Sequence, residues 1–176
     1  MPLRRPFAIA ALSLLLGGLT LSAATREEEA KKAADTLVKS KDAKARLQAV
    51  QDLGKLGSAS LKLVTPYIDQ LTDAIKDKDA KVRGEASRTL AIIDPPEKKA
   101  AIEAIAAALK AEKDIGARGN MEMGLGDLGA LAKEEDLKKI CRTALQEANK
   151  TATEKDEKRK IQTALQTISG KTKKKE

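Results

Sequence analysis

The sequence predicts an all-α protein built from about four helix pairs, and three observations support this fold class. Ala, Leu, Lys and Glu dominate the 176 residues, whereas aromatic residues make up only 1%. This composition favours helices over sheets, because strands prefer β-branched and aromatic side chains. A short acid–base motif occurs four times, and apolar residues follow each copy at helical spacing. The length suits a single domain.

The repeated motif is an acidic residue followed four positions later by a basic residue. The bases stand at 46, 83, 118 and 158, at intervals of 37, 35 and 40 residues. An acid at a helix start accepts a hydrogen bond from a free backbone N–H and interacts favourably with the helix dipole. We expect a structural role, with each base pairing with its own acid or with the acid of the next repeat. The motif residues are Asp42, Arg46, Asp79, Arg83, Asp114, Arg118, Glu154 and Lys158.

Each motif opens a predicted amphipathic helix, which we term a B helix. Apolar residues follow the base at offsets of 3, 7 and 10, and these offsets share one helical face. That face is the predicted buried stripe. Its members are Ala49, Leu53 and Leu56, then Ala86, Leu90 and Ile93, then Met121, Leu125 and Leu128, and finally Ile161, Leu165 and Ile168.

Between the B helices lie further amphipathic segments, which we term A helices. Pro66, Pro95 and Pro96 mark the starts of two of them, where a missing N–H costs nothing. The predicted A helices cover 25–38, 66–76, 96–112 and 134–149. The predicted repeats therefore cover 25–57, 60–94, 96–129 and 133–169.

This pattern resembles the HEAT-like repeat family, and especially its short bacterial form, in which a D-x-x-V-R motif opens the second helix. Asp79, Val82 and Arg83 match that motif, while Glu154 and Lys158 depart from it. The resemblance covers roughly residues 25–169. It implies a right-handed α-solenoid with A helices on the convex side and B helices on the concave side. It also implies a binding surface, without defining one function.

Residues 1–24 are predicted to be a signal peptide. Arg4 and Arg5 precede an uncharged apolar stretch at 7–21, and small residues lead to a cleavage site after Ala24. The chain is then exported to the periplasm or the extracellular space. An uncleaved membrane anchor is the alternative, and the two arginines leave general secretion and twin-arginine export both open. Residues 170–176 are predicted to form a disordered basic tail.

Composition argues against catalysis. The chain has no His and one Cys, so it lacks a Ser-His-Asp triad, a Cys-His pair, a histidine metal site and a cysteine zinc site. We therefore predict a protein that is not an enzyme and that has no cofactor and no metal. Nucleic acid is an unlikely partner because the mature chain offers Tyr67 as its single aromatic side chain for stacking. Cys141 is interpreted as a small core residue, although a disulfide between two chains stays open.

The predicted binding surface is the B-helix face, defined by offsets 2, 5 and 9 after each base. Its mixed charge and its two apolar residues favour a protein partner over a polyanion. The alternative is attachment to an anionic surface, lipid headgroups or acidic polysaccharide, through the basic excess and the lysine tail. Loss of two arginines with the signal leaves a charge of +6 from the full-length +8. The B-helix face comprises Gln48, Gln51, Lys55, Glu85, Arg88, Ile92, Asn120, Met123, Asp127, Lys160, Thr163 and Thr167.

The third B helix contains Gly119, Gly124 and Gly126. Each interior glycine costs a helix roughly 1 kcal/mol relative to alanine. The sequence therefore predicts that this helix is the loosest of the array.

Overall fold

Helices joined by short connections make up the described part of the chain. The structure, a computed structural model, describes the backbone of residues 14–170 and the side chains of residues 25–170. The α-helices are α1 (Leu14–Lys39), α2 (Ala43–Ala59), α3 (Leu61–Val64), α4 (Ile68–Asp73), α5 (Ala80–Ile93), α6 (Lys98–Ala111), α7 (Ile115–Leu131), α8 (Glu135–Thr151) and α9 (Lys155–Ile168). Short 3-10 helices occupy Thr65–Tyr67 and Ala74–Lys76.

The two chain ends carry predictions that the structure does not test. Residues 1–13 of the predicted signal peptide and residues 171–176 of the predicted tail lie outside the described residues. The backbone of 14–24 is the first part of α1. Within residues 14–170, no helix has both the length and the apolar character needed to cross a membrane. Export therefore stays a prediction.

The helices form two layers of an all-α solenoid. The B helices α2, α5, α7 and α9 pack side by side in one layer. The A layer contains α1, the α3–α4 segment, α6 and α8, and each A helix contacts the B helix that follows it. One continuous apolar core runs through all four pairs. Each pair is too small to bury its own apolar stripe, so stability depends on stacking against the next pair.

The predicted buried stripes face this core. Leu53, Leu90 and Leu125, which share one offset in the first three B helices, are fully buried. Their counterpart in α9, Leu165, is only partly buried because, within residues 25–170, no further helix packs on that side. The same end effect leaves Gln162 and Gln166 of α9 exposed.

Aspartate side chains cap the N-termini of three of the B helices. Asp42 accepts a hydrogen bond from the N–H of Lys44 at 3.1 Å, and Asp114 accepts one from Ala117 at 2.8 Å. Asp79 accepts from two N–H groups at the start of α5, at 2.9 and 3.2 Å. Glu154 makes no such bond at the start of α9. The fourth motif therefore lacks the capping function that the other three share.

Arginine side chains tie successive helix pairs together. Arg46 in α2 donates two hydrogen bonds of 2.7 Å to the carboxylate of Asp77, which precedes α5. The same guanidinium donates at 3.1 Å to the carbonyl oxygens of Ser40 and Lys41, just before its own helix. One buried side chain thus fixes its own loop to the next repeat.

The second and third arginines repeat this arrangement. Arg83 donates to Glu112 at 2.6 and 2.8 Å, and Arg118 donates to Glu157 at 2.7 Å. Both also bind carbonyl oxygens of the loop before their own helix. Lys158, at the fourth position, is exposed and forms no ion pair within residues 25–170. These arginine–carboxylate pairs, which we term the arginine ladder, therefore stop at the fourth helix pair.

The ladder uses different acids from those that the sequence suggests. Each arginine does pair with the next repeat, but its partner is not the acid that caps the next B helix. Asp77 and Glu112 lie two residues before the caps, and Glu157 lies in the first turn of α9. Asp79 and Asp114 bind the N–H groups at the start of their own helices instead. Glu154 caps no N–H group, and Arg118 pairs with Glu157 rather than with it.

The second A helix differs from the predicted continuous helix at 66–76. Helical structure begins earlier, at Leu61, and is divided into α3, a 3-10 turn, α4 and a second 3-10 turn. Pro66 lies inside the first 3-10 turn. A proline disfavours helical geometry in the residue before it and lacks an N–H, so an α-helix cannot run through this point unbroken.

The glycines of α7 lie where neighbouring helices come closest. A Cβ added to Gly126 would lie 2.8 Å from the Cβ of Ala164 in α9. A Cβ added to Gly124 would lie 2.9 Å from the carbonyl oxygen of Ser87 in α5. The glycines therefore allow α7 to pack tightly against both neighbours, which offsets their cost in helix propensity.

Candidate protein-binding surface

The B-helix face remains accessible after the helices have stacked. None of its twelve residues is buried. Its two large apolar side chains are well exposed, with Ile92 at 50% and Met123 at 39%. The core-facing offsets of the same helices are buried, except for Leu56 and Leu165, which are partly buried, so the amphipathic pattern separates the two sides of the B layer.

Five residues of the B-helix face surround one cavity of about 220 Å³ between α7 and α9, which we term the α7–α9 pocket. Both helices contribute, so the pocket exists only because the third and fourth pairs stack. Two further residues, which the offsets did not select, also line the pocket. The lining consists of Met123, Asp127, Arg159, Lys160, Thr163, Ala164 and Thr167.

The two walls of this pocket differ in charge. Asp127 stands on the α7 side, where burial raises its pKa above the ordinary value, and Arg88 of α5 acts in the opposite direction. Arg159 and Lys160 stand on the α9 side. Arg159 lies 3.3 Å from Asp156, in an ion pair that is exposed to solvent. Met123 and Ala164 provide the apolar surface between these charges.

Two further residues of the B-helix face lie at the other end of the array. Gln48 and Lys55 line a groove of about 610 Å³ between α1 and α2. Both already bind one oxygen of Asp52, Gln48 at 2.9 Å and Lys55 at 3.1 Å. Because Gln48 and Lys55 both already bind Asp52, this groove offers a partner fewer free polar groups than its size indicates.

The remaining members of the B-helix face line neither cavity. Ile92 stands apart as an exposed apolar side chain of α5. The other four are polar, and they lie along the layer between the two cavities. They are Gln51, Glu85, Arg88 and Asn120. Sequence offsets missed Arg159 and Ala164, which flank the selected positions by one residue.

The described residues offer little for metal or nucleophilic chemistry. Among residues 25–170, no group of three His, Cys, Asp or Glu side chains could hold a metal ion. Cys141 is fully buried in α8, and burial raises its pKa to about 11. A thiol in that state is neutral at ordinary pH and behaves as a small apolar core side chain. A disulfide to a second chain would require the core to open.

Stacked helix pairs with an arginine ladder between them define a helical-repeat protein of the α-solenoid class. A family model of HEAT repeats matches residues 30–126, more than half of the chain. The chain therefore belongs to the HEAT repeat family. The match ends inside α7, ahead of the fourth pair, whose motif residues are substituted. No curated protein matches the chain.

Proposed function

We propose that this chain is a non-catalytic, exported adaptor that binds a protein partner through the B-helix face. The observation that carries the proposal is the α7–α9 pocket, where exposed Met123 lies between an acidic wall and a basic wall. HEAT repeats commonly mediate protein–protein interaction, which fits this role. Export rests on the sequence of residues 1–24 alone.

The surface has the features of a protein-binding site. Interfaces place apolar anchors such as methionine at the centre and polar groups around them. Here Met123 and Ala164 supply the apolar centre, and Thr163 and Thr167 supply uncharged hydrogen-bonding groups at the edge. The pocket is large enough for one or two side chains of a partner rather than for a cofactor.

The charges favour a protein partner over an anionic surface. Lys55 is paired with Asp52, and Arg88 lies close enough to Asp127 to influence its pKa. A surface that attracts lipid headgroups or acidic polysaccharide needs clustered basic groups without nearby acids. The α9 wall alone does not provide such a cluster, because Asp156 accompanies Arg159.

A double substitution tests the proposal. Ile92→Lys with Met123→Lys removes both exposed apolar side chains of the B-helix face and adds two positive charges. We expect the partner recovered by wild type from the exported fraction to be lost, since an anchor is replaced by a hydrated charge. The measurement is co-purification with the full chain, followed by titration of the recovered partner.

Val38→Lys provides the matched control, because Val38 is 64% exposed but belongs to the A helix α1. It should keep the partner. Attachment to an anionic surface predicts the reverse pattern, since two added lysines would strengthen retention on acidic vesicles. Undiminished partner binding by the double variant would contradict the proposed surface.

A further inference from the structure

Glu122 is a buried acid without a hydrogen-bond partner. It lies in α7, its side chain is fully buried, and neither carboxyl oxygen has a partner among the described residues. Burying an unpaired carboxylate is costly, so such a group is either neutral or a source of local instability.

The fold does not require an acid at this position. The residues at the same offset in the other B helices are Val50, Ser87 and Gln162, none of which ionises. Val50 and Ser87 are fully buried, so an uncharged side chain fits this layer of the B helices. Glu122 therefore stands where the repeat architecture accepts a neutral residue.

The position lies on the side of α7 that packs against α9. Gly119, one turn earlier, would place a Cβ 3.0 Å from the ammonium of Lys160 in α9. Gly126, one turn later, would place a Cβ 2.8 Å from Ala164 of the same helix. Glu122 lies between these two positions, on the side of α7 that faces α9.

The charged groups around Glu122 come mainly from α9. Glu157 lies beside the Glu122 carboxyl, repels its charge and favours its protonated form, although no well-formed hydrogen bond joins the two side chains. Arg118 of α7 and Lys160 of α9 attract the charge. Arg118 is already bound to Glu157 at 2.7 Å, which limits its help.

The groups of α5, α6 and α8 that lie against Gly124 and Gly129 of α7 are uncharged, and the charged Arg88 of α5 acts on the exposed Asp127 instead. Cys141 of α8 faces Gly129 and, with a pKa of about 11, stays neutral. Ser87 of α5 and Ile105 of α6 face Gly124. The balance at Glu122 is therefore set at the α7–α9 contact.

Burial is the main cause that raises the pKa of Glu122 from 4.5 to about 7, and the charge of Glu157 adds to it. A carboxyl whose pKa is higher in the folded state favours folding when it is protonated. Its contribution is complete below about pH 4.5 and is lost as the pH rises towards 7. Above that range the ionised group opposes close packing of the two helices.

We propose that Glu122 is a pH-sensitive switch at the junction of the third and fourth B helices, holding α9 against α7 when neutral and loosening it when ionised. The neighbouring residue Met123, together with Lys160 and Ala164, lines the α7–α9 pocket. Opening of the junction therefore changes the shape of the candidate binding site. This second consequence rests on the proposed function, whereas the switch itself does not.

Hydrogen exchange of the full chain at pH 5 and pH 8 tests the switch without any partner. After correction for intrinsic exchange, the opening constant of α9 should be on the order of tenfold to a hundredfold larger at pH 8. In Glu122→Gln and in Glu122→Val, which copies Val50, this pH dependence should disappear. Glu103→Gln, which removes an exposed acid of α6, should behave as wild type.

A direct titration of the Glu122 carboxyl by carbon NMR complements the variants and does not depend on their folding. A midpoint near 7 supports the switch, whereas an ordinary midpoint near 4.5 overturns it. The switch is also overturned if Glu122→Gln or Glu122→Val keeps the wild-type pH dependence of α9 exchange. A chain that shows the switch but binds no partner would refute only the proposed function.

Discussion

Three arginines carry the connection between repeats at the level of single residues. Arg46 and Arg83 each bind a carboxylate through two parallel hydrogen bonds, an arrangement that a lysine cannot reproduce, and Arg118 binds Glu157 through one. Arg83 and Glu112 show the arrangement best, since the acid's side chain is only 3% exposed. The hydrogen bonds from Arg83, assisted by the N–H groups of Asp114 and Lys113, lower the pKa of Glu112 to about 2.

Arg83→Ala should destabilise the protein by about 3 kcal/mol, because it leaves the carboxylate of Glu112 buried without its main partner. Urea unfolding followed by circular dichroism measures this loss. Lys39→Ala is the matched control, since the Lys39–Asp35 pair has a similar distance of 2.7 Å but is exposed. Its loss should be below about 0.5 kcal/mol. Equal losses for the two variants would show that the ladder contributes no more than a surface pair.

The depressed pKa of Glu112 gives the same variant a second readout. A carboxyl with a lowered pKa stabilises the fold above its unfolded value, near pH 4.5, and this stabilisation is lost as the pH falls towards 2. Arg83→Ala should therefore weaken the fall in stability between about pH 4.5 and 2. If Arg83→Ala leaves the loss of stability at acid pH unchanged, another group causes that loss.

The sequence predicts the roles of some of these residues but not of others. The capping roles of Asp42, Asp79 and Asp114 follow from local chemistry, and in the structure all three side chains accept hydrogen bonds from their helices. The partners of the arginines do not follow, because they depend on how one repeat is displaced relative to the next. Asp77 and Glu112 occupy connections whose paths are set by stacking, a property that repeat spacing alone does not encode.

At the scale of elements, α7 shows packing contacts that an argument from helix propensity leaves out. Its glycines lower intrinsic helicity, and the sequence therefore predicted a loose helix. The structure places Gly124 and Gly126 at close contacts with α5 and α9. Rotation of the helix about its axis decides whether a glycine faces water or a neighbour, and the apolar offsets locate that rotation only approximately.

Two glycines of α7 separate these effects experimentally. Gly126→Ala should destabilise the fold by about 1–2 kcal/mol despite better helix propensity, since its Cβ would lie within 2.9 Å of the Ala164 backbone. Gly119→Ala faces only the flexible end of Lys160 and should be neutral, or stabilising by up to about 1 kcal/mol. Equilibrium unfolding of both variants gives the comparison. Stabilisation by Gly126→Ala would show that α7 and α9 do not approach so closely.

At the scale of the whole molecule, the repeats make the fold predictable from the sequence, whereas the candidate binding site is only partly predictable. Four copies of one register predict four stacked helix pairs, which the structure contains, and the HEAT repeat match covers the chain from residue 30 to 126. Offsets also predict which B-helix residues stay accessible. They do not predict that Met123, Asp127 and Lys160 meet around one cavity, because this requires the actual separation of α7 and α9.

Two methionines of α7, separated by one residue, provide a built-in test of the binding surface. Met123 is 39% exposed and lines the α7–α9 pocket, whereas Met121 is fully buried. Exposed methionine is readily oxidised. Hydroxyl-radical footprinting of the free chain should therefore modify Met123 and spare Met121.

The decisive measurement repeats this footprint with the purified partner at saturating concentration. If the B-helix face binds the partner, oxidation of Met123 should fall to the level of Met121, while exposed Val38 of α1 should stay as reactive as in the free chain. Unchanged oxidation of Met123 in the saturated complex, with protection confined to the A helices, would contradict the central claim.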